Sequence, residues 1–105
     1  MTKNFNDANV TLTTSETDIY VSTSKTMTLL IQAVNTSSSD VTVELWITNG
    51  SNTHEKAILR SKVITPEEGG VSDTTKHIIR SGYKIRGTAS IGSSVTVEVS
   101  VLEGM

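Results

Sequence analysis

The sequence predicts an all-β fold, a single antiparallel β-sandwich of about eight strands, of jelly-roll or Greek-key type. Three observations predict it. Thr, Val and Ile together number 37 of the 105 residues, against 10 for Ala plus Leu; β-branched side chains are stiff at χ1 and fit a pleated surface better than a helix. Apolar residues recur with a period of two, which a disordered Ser/Thr-rich chain has no reason to keep. Turn chemistry separates the runs every 8 to 12 residues or so, too closely for crossover helices.

Residues 1–9 are polar apart from Phe5 and Ala8 after the starting Met, and they read as an arm. Such a segment either frays or lies on a neighbour, with Phe5 as its anchor. The domain proper, residues 10–105, carries the strand-like runs Val10–Thr14, Asp18–Val21, Thr26–Asn35, Val41–Thr48, Glu55–Ile64, Gly70–Ile79, Tyr83–Ser90 and Val95–Leu102. Turn residues part them, among them Asn49-Gly50-Ser51-Asn52, Pro66 to Gly69, Ser81-Gly82 and Gly92-Ser93-Ser94. Two runs alternate cleanly. Val41, Val43, Leu45 and Ile47 oppose Thr42, Glu44, Trp46 and Thr48, and Val95, Val97, Val99 and Val101 oppose Thr96, Glu98, Ser100 and Leu102. One face of each packs on a core and the other meets water, which places Val43, Leu45, Ile47, Val97, Val99 and Val101 inside.

That core is thin. Only 35% of residues are hydrophobic and the aromatics are Phe5, Tyr20, Trp46 and Tyr83, so association with other copies is expected to add stability. The large apolar residues on outward faces say the same. Trp46 stands opposite Leu45 and Ile47, either covered by a loop or arm or serving as an interface anchor. Leu30 and Leu102 pose the same question.

The formal charge of −2 is too near neutral for a general nucleic-acid binder. Charge is uneven, however: Lys56 to Arg86 carries seven basic and three acidic residues, and the remainder two basic and eight acidic. Arg60 and Lys62 are expected on one outer face, with Lys84 and Arg86 opposite Ile85, together forming a basic docking face for an acidic partner surface. No cysteine is present, which removes disulfides and thiolate metal sites. No run is apolar enough to span a bilayer, so no membrane partner is expected. The first residues lack a signal peptide's apolar stretch, so the protein is expected to be made and kept in a cytoplasm unless cell lysis releases it.

Candidate chemistry is sparse. His54 and His77 have no second ligand at metal spacing and read as surface histidines. No Ser, His and Asp suggest a triad, Glu67-Glu68 reads as a solvated turn, and Gly69-Gly70 lacks the Lys-Ser/Thr of a phosphate loop. Asn4, Asn6, Asp7 and Asn9 offer oxygen ligands with a single charge, little for calcium. The chain is therefore expected to be no enzyme and to carry no cofactor or metal.

Several stretches together resemble small structural proteins encoded beside the capsid and neck genes of tailed bacteriophages. They are Val10-Thr-Leu-Thr-Thr-Ser-Glu-Thr-Asp-Ile-Tyr20, Thr28-Leu-Leu-Ile-Gln-Ala-Val-Asn35, Ser39-Asp-Val-Thr-Val-Glu-Leu-Trp-Ile-Thr48 with Asn49-Gly-Ser-Asn52, Gly82-Tyr-Lys-Ile-Arg-Gly-Thr-Ala-Ser90, and Val95-Thr-Val-Glu-Val-Ser-Val-Leu-Glu103. Arg80, Tyr83 and Gly87 depart from that pattern, so the resemblance carries over a class and no functional residue. It implies a β-sandwich virion protein made in the host bacterial cytoplasm, foremost a capsid decoration (cement) subunit, with neck or tail accessory subunits as the variant. Its partners would be itself, as a homotrimer, and the major capsid protein or other virion proteins. The rival reading is a carbohydrate-binding β-sandwich module, which normally needs more aromatic platforms than four scattered residues supply.

Overall fold

Alternating β-branched runs pair into nine strands and no helix in the computed structural model, which describes residues 4–105. The strands are β1 (Asn4–Thr11), β2 (Thr17–Val21), β3 (Thr26–Asn35), β4 (Val41–Thr48), β5 (His54–Ile64), β6 (Gly70–Asp73), β7 (Ile78–Ile79), β8 (Lys84–Ala89) and β9 (Val95–Glu103). One sheet runs β1-β9-β3-β6, with β7 also paired to β3; the other runs β2-β8-β4-β5. All pairings are antiparallel. The chain changes sheet at every step except the β4–β5 hairpin and the β6–β7 break, so the two packed sheets wrap as a jelly roll.

The core lies between the sheets. Val43, Leu45, Ile47, Val97, Val99 and Val101 are all buried, as the alternation requires, and Leu12, Ile31, Ile64, Ile79 and Ile85 complete the layer. Gly87 on β8 is part of this packing. A Cβ there would lie 2.5 Å from Leu45 Cδ2 and 2.8 Å from the Glu44 carbonyl oxygen, so only glycine lets β8 approach β4.

Three segments differ from the sequence expectation. Residues 4–9, expected as an arm, form most of β1 and pair with β9 from Asn4↔Glu103 to Thr11↔Thr96; the first three residues of that arm lie outside the described residues. Backbone hydrogen bonds hold this strand more than burial does, since only Ala8 and Val10 pack against the core. The run Gly70–Ile79 breaks in two. Asp73 Oδ1 accepts from Thr75 N–H at 2.8 Å, and His77 N–H turns to Thr28 Oγ1 at 2.9 Å, which lifts Thr74–His77 off the ladder. Finally, β5 is irregular. Ser61 takes φ +51°, and the pairing slips so that Val43 faces Lys62 while Leu45 faces Leu59.

Polar side chains close both ends of the sandwich. Asn35 Nδ2 donates to the carbonyls of Ser39 and Ile64, each at 2.8 Å. At the other end Tyr20 donates to Glu103 and lies 3.4 Å from Thr26 Oγ1.

Candidate functional site

The outward faces of the two sheets carry the side chains of interest. On the four-stranded sheet, cross-strand pairing lines up Asp18, Arg86, Trp46 and Ala57 across β2, β8, β4 and β5. Trp46 is half-buried. Its ring stacks on His54, centroids 4.3 Å apart at 14°, and Nε1 donates to Glu44 Oε1 at 3.2 Å. His54 Nε2 meets Glu16 Oε2 at 2.8 Å. Glu16 in turn accepts from Arg86 Nη1 at 3.0 Å, and Arg86 Nε donates to Asp18 Oδ1 at 2.6 Å. Lys84 completes the chain, 3.7 Å from Asp18 Oδ2 and 3.0 Å from Asn52 Oδ1. One face of the indole is thus covered locally, by His54 at the start of β5, which Glu16 holds from the segment before β2.

This network alters the expected basic face. Lys84 and Arg86 do point outward beside buried Ile85, but their charges are met by Asp18 and Glu16. Arg60 and Lys62 do not share one face by simple alternation: the bulge at Ser61 places Lys62 in register with core-facing Val43, 3.5 Å from Glu68. Arg60 is exposed, and among the described residues no carboxylate pairs with it.

The five-stranded sheet brings together three of the expected interface residues. Phe5 faces Leu102, Leu102 faces Met27, and Met27 faces Ile78, so an apolar row crosses β1, β9, β3 and β7. Phe5 is 79% and Ile78 49% exposed, while Leu102 and Met27 are half-buried. The next row holds Asp7, Ser100 and half-buried Leu30, with Ser100 Oγ donating to Asp7 Oδ1 at 2.9 Å. Leu30 and Trp46 therefore lie on opposite outer faces. Met27 and Ile78 were missed by the sequence reading. The adjacent apolar pair Ile78-Ile79 does not say which of the two points outward; burial of His77 and Ile79 does.

His77 corrects the reading of a surface histidine. It is 5% exposed, its Nε2 lies 3.0 Å from Asp73 Oδ2, and its Nδ1 has no hydrogen-bond partner. Burial works to raise the Asp73 carboxyl, but the hydrogen bonds from His77 and Thr75 outweigh it and hold the group below its ordinary value. His54 and His77 belong to separate clusters, and among the described residues no three His, Cys, Asp or Glu side chains are grouped to hold a metal. Two open depressions of about 190 and 280 Å³ flank Glu44, one bounded by Trp46 and His54 and the other by Thr14 and Ser90. Both fall below the roughly 300–1,000 Å³ of ordinary ligand pockets.

No protein-family model matches this chain, and no curated protein matches it in sequence. Solved structures do share its fold. A chain in the acidic stable capsid structure of Helicobacter pylori bacteriophage KHP30 superimposes with a TM-score of 0.64 at 7% identity, covering 99% of this chain and 89% of that one. The Drosophila NLP core, whose crystal structure bears on pentamer formation and histone binding, superimposes with a TM-score of 0.55 at 12% identity, covering 98% of each chain. At such identities the likeness establishes the fold, a jelly-roll sandwich matched from end to end.

Proposed function

We propose that this chain is a non-enzymatic structural protein of a bacteriophage virion, a capsid decoration (cement) subunit that binds the assembled head as a homotrimer and stabilises it. The observation that carries this reading is the end-to-end likeness to a chain of a phage capsid structure, taken together with the resemblance of the strand and turn sequences to small phage structural proteins. The surface chemistry agrees with it. The two histidines and three of the basic side chains, Lys62, Lys84 and Arg86, are committed to carboxylates of the same chain, an arrangement that rigidifies a scaffold. The apolar side chains left outward fit an interface better than a substrate pocket.

The capsid-facing surface in this reading is the β5 margin of the four-stranded sheet, where Lys56 and Arg60 are exposed, and the major capsid protein contributes the acidic partner surface. Quantitative mass spectrometry of purified particles tests the proposal. A decoration subunit is present in a fixed high ratio to the major capsid protein. A few copies per particle would instead indicate a neck or tail accessory subunit, and absence from particles would overturn the virion reading.

A further inference from the structure

The two margins of the five-stranded sheet carry opposite charges on the same outer face. Along the β7 margin exposure alternates: Lys76, Ile78 and Arg80 are exposed while His77 and Ile79 are buried. This stripe is an apolar residue between two cations, and among the described residues no carboxylate pairs with either. Arg80 lies over the Tyr83 ring at 5.9 Å, and Asp73 is turned to buried His77. Along the β1 margin, exposed Phe5 and Asp7 face Leu102 and Ser100, and exposed Glu98 follows on β9 opposite Asn9. This stripe is apolar and acidic. β1 is moreover the outermost strand of its sheet, paired on one side only.

We propose that copies of this chain associate head to tail, the β1 margin of one copy packing along the β7 margin of the next, with Phe5 against Ile78 and Asp7 against one of the two cations that flank it, Lys76 or Arg80. Charge decides the polarity. A two-fold pairing of β1 margins sets Asp7 against Asp7, and a two-fold pairing of β7 margins sets four cations together; like charges juxtaposed at an interface are strongly disfavoured. Joining unlike margins satisfies both the charges and the exposed apolar side chains. Such a heterologous contact leaves a free margin at each end, so it closes into a ring or continues as a filament. The inference rests on the self-association in the proposed function and supplies its surface; it does not rest on where in a virion the protein sits.

Sedimentation equilibrium of the full chain tests it with three variants: Asp7→Lys, whose β1 and β7 margins then both present cations, the double substitution Lys76→Glu with Arg80→Glu, whose two margins then both present carboxylates, and Phe5→Ser. All four positions are exposed, and circular dichroism reports that each variant keeps its fold. The dissociation constant should rise at least about tenfold in each variant alone, and an equimolar mixture of the Asp7→Lys chain with the Lys76→Glu, Arg80→Glu chain should associate again. A wild-type chain that stays monomeric overturns the proposal, as do variants that associate like wild type or a mixture that stays monomeric. A monomeric chain that is nonetheless abundant in particles would remove this interface and leave the virion role standing. Head-to-tail association by a chain absent from particles would do the reverse.

Discussion

The phenol of Tyr20 on β2 donates to the Glu103 carboxylate at the end of β9, joining the two sheets through a partly buried hydrogen bond. The same carboxylate accepts from Asn6 Nδ2 at 3.4 Å, so β1 is tied into the joint. Tyr20 is 7% exposed, and burial first, then the bond to Glu103, push its phenol up to about 12.

Tyr20→Phe should therefore destabilise the fold by about 1.5–3 kcal/mol, the usual range for a hydrogen bond to a charged group, read from urea unfolding. The pH dependence has a definite sign. The folded phenol holds its proton more tightly than the unfolded one, whose ordinary value is 10.0. Its contribution is fully present below that value and is lost as pH rises towards about 12. Wild type should lose more stability than Tyr20→Phe across that alkaline window. Parallel losses in the two proteins would refute the role given to this bond.

Gly87 supplies a second measurement. A methyl group there meets Leu45 Cδ2 at 2.5 Å, the Glu44 carbonyl oxygen at 2.8 Å and Ile19 Cδ1 at 3.1 Å. Two of these neighbours are core side chains and the third is backbone, so the strain has no easy outlet. Gly87→Ala should cost about 1–3 kcal/mol as overpacking. At Gly92, where nothing lies within 4 Å of the added carbon, the same change should be close to neutral. Equal midpoints for the two variants in thermal unfolding would contradict this account of the β4–β8 approach.

The bounds of β3 and β4 were legible to the residue, because both strands are flanked by polar turns and β4 alternates strictly. β1 was not. Asn4, Asn6, Asp7 and Asn9 are poor strand formers, and what orders them is a ladder to β9, whose sequence lies more than ninety positions away at Glu103. The bulge at Ser61 was hidden for a related reason: an alternation pattern assumes one residue opposite one, and the φ of +51° breaks that count. Phe5, Leu30 and Leu102 were each recognisable as outward apolar residues. That Phe5 and Leu102 share a row with Met27 and Ile78 depends on the register of four strands, which no local pattern states.

Trp46 combines a legible position with an illegible environment. It is the sole tryptophan, so its fluorescence reports this site alone. With one face of the ring against His54 and the residue only half-buried, Trp46→Ala should cost about 2 kcal/mol of folding stability, less than the roughly 3–5 kcal/mol of a fully buried aromatic. His54→Ala should cost about 0.5–1.5 kcal/mol, the range for an aromatic pair, and shift the indole emission to the red as its cover is removed. Neither change should alter self-association, because Trp46 lies on the sheet opposite Phe5 and Ile78. A loss of association on Trp46→Ala with folding stability unchanged would instead make the indole an interface anchor.

Binding to particles should depend on Arg60 more than on Lys84 or Arg86. Arg86 is held by both Glu16 and Asp18, and Lys84 by Asp18, so a partner would have to displace internal carboxylates to use those charges. Arg60 sits exposed on the free edge of the four-stranded sheet, where the bulge at Ser61 interrupts the ladder. Exposed charges of this kind act mainly on association rate and salt response. Decoration of particles by the purified chain should weaken as salt rises from about 50 to 500 mM, since the Debye length falls from roughly 14 to 4 Å. Arg60→Glu should flatten that dependence and slow association, whereas Lys84→Ala should leave both nearly unchanged while loosening the fold slightly, by about 0.2–1 kcal/mol for a partly exposed pair. If Arg60→Glu decorates with wild-type rate and salt response, the β5 margin is not the face that meets the capsid.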